Sequence, residues 1–139
     1  MDERIVKFLK KMHLASVCAI DDDGRPYAFS AFYAFDEVNF CLLLASCDES
    51  SHIKFLKNSK LVAGTVALDT KIVGKIEGVQ FQGAMRKASE DEQKKYFKRY
   101  FYAKAIDPKI WSISLEKVKF TSNTLGFGKK IKWERGDKI

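Results

Sequence analysis

Apolar residues at 5, 6, 8, 9 and 12 alternate with charges at the period of an amphipathic helix. Asp2 stands where a cap belongs, so the pattern predicts a helix from Asp2 to about His13, lying on the outside of the fold. The period then shortens to two. Leu14–Ile20 reads as a strand, and Asp21-Asp22-Asp23-Gly24 as a hairpin turn ending in the favoured Asp-Gly pair. The three aspartates lack the spaced ligands of a calcium loop. Pro26 admits a second strand, Asp36 to Asn39 turns it, and Phe40 to Ser46 returns as a third. Ser50 caps a short helix to Asn58, and Leu61–Leu68 is a fourth strand. Lys71 to Ala88 is too long for one regular strand, and Gly74, Gly78 and Gly83 predict bends that curve a sheet toward a barrel. Ser89 and Glu92 form a capping-box pattern opening a helix that carries Tyr96, Phe97, Tyr100 and Phe101, with Pro108 closing the region. Trp111, Ile113 and Leu115 share one phase, and Val118 and Phe120 the other. That slip predicts a bulge near Glu116-Lys117. Ile131 and Trp133 make a last short strand. Six or seven strands with three helices predict a mainly β protein, a small β-barrel with peripheral helices, in a single domain over residues 1–139.

The stretch Tyr27–Phe35, YAFSAFYAF, makes the strongest demand on this scheme. Tyr27, Phe29, Ala31, Tyr33 and Phe35 share one face, and Ala28, Ser30, Phe32 and Ala34 the other. Neither face suits water. One can pack on the core; the other requires a helix, a partner subunit or a flat ligand. The small residues Ser30, Ala31 and Ala34 between larger ones favour a groove over a filled interior.

Composition adds little to the fold but bounds the function. With 46% hydrophobic and 31% charged residues, the chain has ordinary globular character. Lys and Arg number 25 against 18 Asp and Glu, a net charge of +7. The basic residues are dispersed over three helical faces, which fits solvated surfaces better than a nucleic-acid patch. Cys18, Cys41 and Cys47 are odd in number, and Cys18 and Cys41 fall within strands. They read as small buried thiols of a reducing compartment. No apolar run reaches membrane-spanning length and no apolar signal core is present, so a cytoplasmic location with no membrane association is expected.

Candidate chemistry is sparse. His13 and His52 are the only histidines, no C-x-x-C pair suggests zinc, and no nucleophile elbow is present. Ser50-Ser51-His52, followed by Lys54, combines a helix start, two hydroxyls and positive charge, a set suited to phosphate; the same residues also make a plain helix cap. GFGKK, residues 126 to 130, is not a Walker loop, but glycine beside Lys129 and Lys130 can admit an anion.

The order of parts resembles the pyridoxamine phosphate oxidase-like FMN-binding split barrels. The D-x-x-G-x-P turn, the aromatic second strand, the helix start at Ser50-Ser51-His52, VAGTV, GVQFQG and KFTSNTLGFGKK carry the resemblance from about residue 4 to 135. Within that superfamily the chain is most similar to a small bacterial family through GVQFQG and NTLGFGKK. The resemblance implies a split β-barrel homodimer with FMN at the subunit interface. Its phosphate would lie at Ser50, Ser51 and His52, where the relatives' usual Lys is His52 and the frequent Arg is Ser51. The ring would lie beside Ser30, Ala31, Phe32 and Tyr33, with Lys129 and Lys130 reaching across from the partner. An FMN-dependent oxidoreductase is the expected function. A flavin-free binding module for haem or a nucleotide is the alternative, with a basic nucleic-acid-binding barrel as the second.

Overall fold

The computed structural model describes residues 1–136. Seven strands are present: β1 (Leu14–Ile20), β2 (Pro26–Asp36), β3 (Cys41–Ala45), β4 (Leu61–Ala67), β5 (Glu77–Lys87), β6 (Ile110–Ser122) and β7 (Lys129–Glu134). The helices are α1 (Glu3–Lys11), α2 (Ser51–Lys54) and α3 (Glu90–Arg99), with short 3-10 turns between elements. All pairings are antiparallel, in the order β3-β2-β1-β4-β5-β6-β7, and a further β3–β6 pairing closes six strands into a barrel. β7 is the extra strand, added to the second half of β6. This is the small β-barrel predicted from the chain's pattern, in the split form that the family resemblance implies.

The barrel is split because two strands divide their partners by length. β2 pairs with β1 over Pro26–Phe32 and with β3 over Tyr33–Asp36. β6 pairs with β3 over Ile110–Ser114 and with β7 over Lys117–Ser122. The phase slip in β6 is explained by its register with β5. Gln82 opposes Lys117 while the next residue, Gly83, opposes Leu115, leaving Glu116 bulged. A Cβ on Gly83 would run into the Ser114 carbonyl oxygen, so only glycine admits this bend.

The main core fills the barrel with Val17, Leu42, Leu44, Val66, Phe81, Ile113 and Phe120, and α1 contributes Ile5, Phe8 and Leu9 to it. The helix expected to be peripheral thus inserts one face fully into the core, and the Tyr33 hydroxyl donates to the Leu9 carbonyl oxygen at 2.7 Å. Asp2 caps it as expected, accepting from the Arg4 amide. A second core lies outside the barrel, where α3 covers Ala34, Cys41, Leu43 and Ile110 with Tyr96. The capping box of Ser89 and Glu92 is complete, and the buried Glu92 also accepts from Arg86 of β5 and Ser112 of β6. Arg99 binds the carbonyls of Lys10 and Met12, tying α3 to α1.

The helix predicted from Ser50 to Asn58 is shorter than expected. One α-turn, Ser51–Lys54, passes into a 3-10 turn at Phe55–Lys57. Aromatic contacts explain its path: the His52 ring stacks on Phe29 at 3.7 Å, and Phe55 meets Tyr27 edge-on at 5.2 Å. This segment therefore packs beside the half of β2 that lacks a strand on its far edge.

Candidate functional site

The two faces of β2 have different fates. Phe29, Ala31 and Phe35 pack against the main core and Tyr33 lies wholly within it. On the opposite face α3 covers Ala34, while Ala28, Ser30 and Phe32 remain open, Phe32 with 56% of its surface exposed. The second apolar face is thus half covered by a helix and half bare.

The bare half continues across the barrel. Residues directly opposite on antiparallel strands share a face, so register defines two outward rows. One runs Ser30, Ser16, Thr65, Gln80, Lys119 and Lys132; the other runs Ala28, Cys18, Ala63, Gln82, Lys117 and Glu134. The chain buries Val79 and Phe81 in the core and so turns Gln80 and Gln82 outward. In the same way Val118 and Phe120 force Lys117 and Lys119 outward. Sheet curvature folds these rows into an open groove of about 660 Å³ lined by Cys18, Ala63, Thr65, Gln80, Gln82 and Lys119. Cys18, expected to be buried, is half-buried and faces this groove; Cys41 is buried and Cys47 exposed. Small and amide side chains thus form the middle of the groove, apolar Leu14 and Phe32 flank one end, and lysines the other.

Beneath the middle lies Gly64, paired with Phe81. A Cβ there would overlap the Ser16 carbonyl oxygen and come within 2.6 Å of the Phe81 ring. The Phe81 ring takes the space a side chain would have used.

The residues singled out from sequence fall into separate groups. Ser30 and Phe32 belong to the open face, whereas Ala31 and Tyr33 point inward. Tyr33 is fully buried with its hydroxyl bonded, and burial raises its pKa, so its side chain does not line a surface site. Ser50, Ser51, His52 and Lys54 cluster beside Tyr27 and Phe29. Ser50 caps no backbone amide; its hydroxyl lies 3.1 Å from the Cys47 thiol. His52 Nε2 shares a short hydrogen bond with the Ser46 hydroxyl, and burial lowers its pKa, leaving it neutral near pH 7. It therefore adds no positive charge, and the cation of this cluster is exposed Lys54. Lys129 and Lys130 lie on β7, with β1, β4, β5 and β6 between them and β2. By the other route round the closed barrel only β3 and β6 intervene, but Lys129 and Lys130 pair with the Thr121–Ser122 end of β6, away from the Ile110–Ser114 stretch that meets β3.

Sequence reading missed Ser16, Cys18, Thr65, Gln80, Gln82, Lys119 and Lys132. The signal was present as strict alternation in VQFQ, KVKF and KIKW, where the outward residue of each pair is an amide or a lysine. Among the described residues, no group of three or more His, Cys, Asp or Glu side chains is placed to hold a metal ion, and no helix is long and apolar enough to cross a membrane.

Known structures share this architecture. A heme binding protein from Mycobacterium smegmatis superposes with a TM-score of 0.72 at 14% identity, over 88% of this chain and 53% of that one. A FAD-binding protein from Mesorhizobium loti gives 0.69 at 14% identity, over 86% of this chain and 93% of that one. These neighbours are split-barrel proteins, so the fold agrees with the superfamily the sequence resembles. No protein-family model matches the chain. In sequence, the UPF0306 protein YhbP of Salmonella paratyphi A is 38% identical over 135 residues, covering 94% of this chain and 91% of YhbP. Identity of that extent over nearly the whole of both chains makes this protein a member of the UPF0306 family.

Proposed function

We propose that this protein binds FMN on the outer face of its barrel and acts as an oxidoreductase, in a homodimer whose subunits cover that face. The observation that carries the reading is the groove with an amide and hydroxyl floor beside a half-bare aromatic strand. A heteroaromatic ring with donors and acceptors along one edge needs groups that do both. Gln80 and Gln82 supply them, with Ser16, Ser30 and Thr65 alongside. Phe32 and Leu14 offer apolar surface to the ring's remainder. Ser50, Ser51 and Lys54 suit the phosphate, with His52 holding the segment against Phe29 rather than contributing charge. Lys129 and Lys130 would meet the ligand from the second subunit.

Dimerisation is supported by the large apolar side chains that β1, β2 and β4 leave in solvent: Leu14, Tyr27, Phe32 and Leu61. Bound flavin supplies hydride or electron transfer. The chain's own residues orient the ring, exclude water from one side and leave the other to a donor such as NAD(P)H or a reductase. The similarity of fold to a FAD-binding protein agrees with this reading.

The test is a titration of purified protein with FMN, followed by quenching of flavin fluorescence, then anaerobic addition of NADH or NADPH. Saturable quenching, and bleaching of the flavin band by either nucleotide, are expected. No quenching removes the proposal; quenching without bleaching removes direct nicotinamide reduction.

A haem-binding role is the second reading, favoured by the fold shared with the Mycobacterium smegmatis heme binding protein. His13 is exposed and its ring lies 5.6 Å from Phe32, whereas His52 is engaged by Ser46 and Phe29. His13 is then the axial ligand to test. A Soret band on adding haemin that is altered in His13→Ala supports this reading, and an unchanged band in the variant counts against this ligand.

A further inference from the structure

We propose that Lys119 and Lys132 form a clamp for a small oxyanion group, phosphate or carboxylate, at the β7 end of the groove, separate from the Ser50–Lys54 cluster. The two lysines are directly opposite each other across the β6–β7 pair and both face outward. Like charges at directly opposed positions repel, so the pair is unfavourable unless an anion relieves it. Every neighbouring group that could relieve the repulsion is otherwise arranged. Gln80 and Gln82 of β5 are neutral. Glu134, the one carboxylate on this face of β7, is opposite Lys117 and pairs with it at 3.8 Å. Thr121 opposes Lys130, which adds a further ammonium group along the same face. Among the described residues, neither Lys119 nor Lys132 takes part in an ion pair.

Both lysines line the groove, and Lys119 is partly buried in its wall. Partial burial lowers the local dielectric and strengthens both the repulsion and its relief by an anion. Gln80, directly opposite Lys119, adds an amide donor to the same spot. Two lysines and an amide thus share one end of a groove whose other end is formed by the small side chains of Cys18, Ala63 and Thr65. That is the polarity expected for a ligand with a ring at one end and an oxyanion at the other. The inference rests on the groove being the ligand site, and is independent of whether the ring is flavin.

The experiment is calorimetric titration with sodium pyrophosphate and, separately, sodium succinate, at constant ionic strength. Wild type is compared with Lys119→Gln, Lys132→Gln and the control Lys94→Gln, an exposed lysine of α3 that lies outside the groove. Saturable binding of at least one anion is expected in wild type and in the control. Binding weaker by about tenfold or more is expected in each clamp variant, the scale of losing one charge-assisted hydrogen bond. Without anion, both clamp variants should melt at a higher temperature than wild type, because the repulsion is gone. Pyrophosphate binding alone assigns the clamp to a phosphate, and succinate binding alone to a carboxylate. Absence of binding in wild type, or equal affinity in all four proteins, overturns the clamp. If FMN fails to bind while pyrophosphate behaves as expected, the flavin reading falls and the clamp stands. If FMN binds and the anions do not discriminate the variants, the clamp falls alone.

Discussion

Replacing Glu92 by Gln should release α3 from the barrel by an amount that depends on pH. The Glu92 carboxylate is buried, with 3% of the residue exposed. It accepts two hydrogen bonds from the Arg86 guanidinium at 2.7 and 3.1 Å, one from the Ser112 hydroxyl at 2.7 Å and one from the Ser89 amide at 2.9 Å. Burial alone would raise its pKa; the donors, Arg86 foremost, more than offset this and hold it at about 2 against an ordinary 4.5. Each pKa unit corresponds to about 1.4 kcal/mol. Because the Arg86 side chain is half-exposed to screening solvent, the discounted contribution is about 2 kcal/mol. The folded pKa lies below the unfolded one, so this stability is fully present above about pH 4.5 and disappears as pH falls toward 2. Urea unfolding followed by far-ultraviolet circular dichroism should therefore find Glu92→Gln less stable by about 2 kcal/mol at pH 7, with the gap closing between pH 4.5 and pH 2. A gap that stays constant over that range, or is absent at pH 7, would refute the argument that an ionised, donor-saturated carboxylate anchors the helix.

Three further outcomes follow from named contacts. Gly64→Ala forces a methyl group against the Ser16 carbonyl and the Phe81 ring, and should cost about 1–3 kcal/mol in thermal or denaturant unfolding; a neutral result would show that the Ser16 backbone and the Phe81 ring both move aside freely. Tyr33→Phe leaves the Leu9 carbonyl without its buried donor, and should cost about 1–2 kcal/mol in urea unfolding. Ser51→Asp places a carboxylate at the expected phosphate position and should weaken FMN binding by fluorescence titration while leaving the melting temperature unchanged; equal affinity would move the phosphate away from this segment.

Much of the fold was legible because a single period governs each segment. Leu14–Ile20 and the Glu116 bulge follow from alternation and its slip, since a residue on the wrong face of a closed barrel has nowhere to go. Ser89 and Glu92 announce their capping box because cap geometry is local. Tertiary contacts were less visible. The run Ser50 to Asn58 has helical spacing, yet its second half is a tighter turn, with His52 stacked on Phe29 and Phe55 meeting Tyr27 edge-on. The charge expected of His52 was lost to the same packing, because desolvation is invisible in a residue's identity. Half the candidate site was legible through the aromatic strand. The remainder, Gln80, Gln82, Lys119 and Lys132, becomes a site only through registers that join strands distant in sequence.

The two-part pairing of β6 also dictates the order in which this chain can be assembled. Closure of the barrel joins β3 to β6 through residues 65 to 73 positions apart, from Ala45 with Ile110 to Cys41 with Ser114. During synthesis, at roughly 5–20 residues per second, β1 to β5 emerge as a curved sheet with a free edge at β3 and another at β5, several seconds before β6 can join both. Contacts of such long range make closure slow, and open edges in the interval are templates for pairing with other chains. Recovery of soluble protein should therefore depend on the speed of translation and on holdase chaperones more steeply than the stability of the finished barrel would suggest.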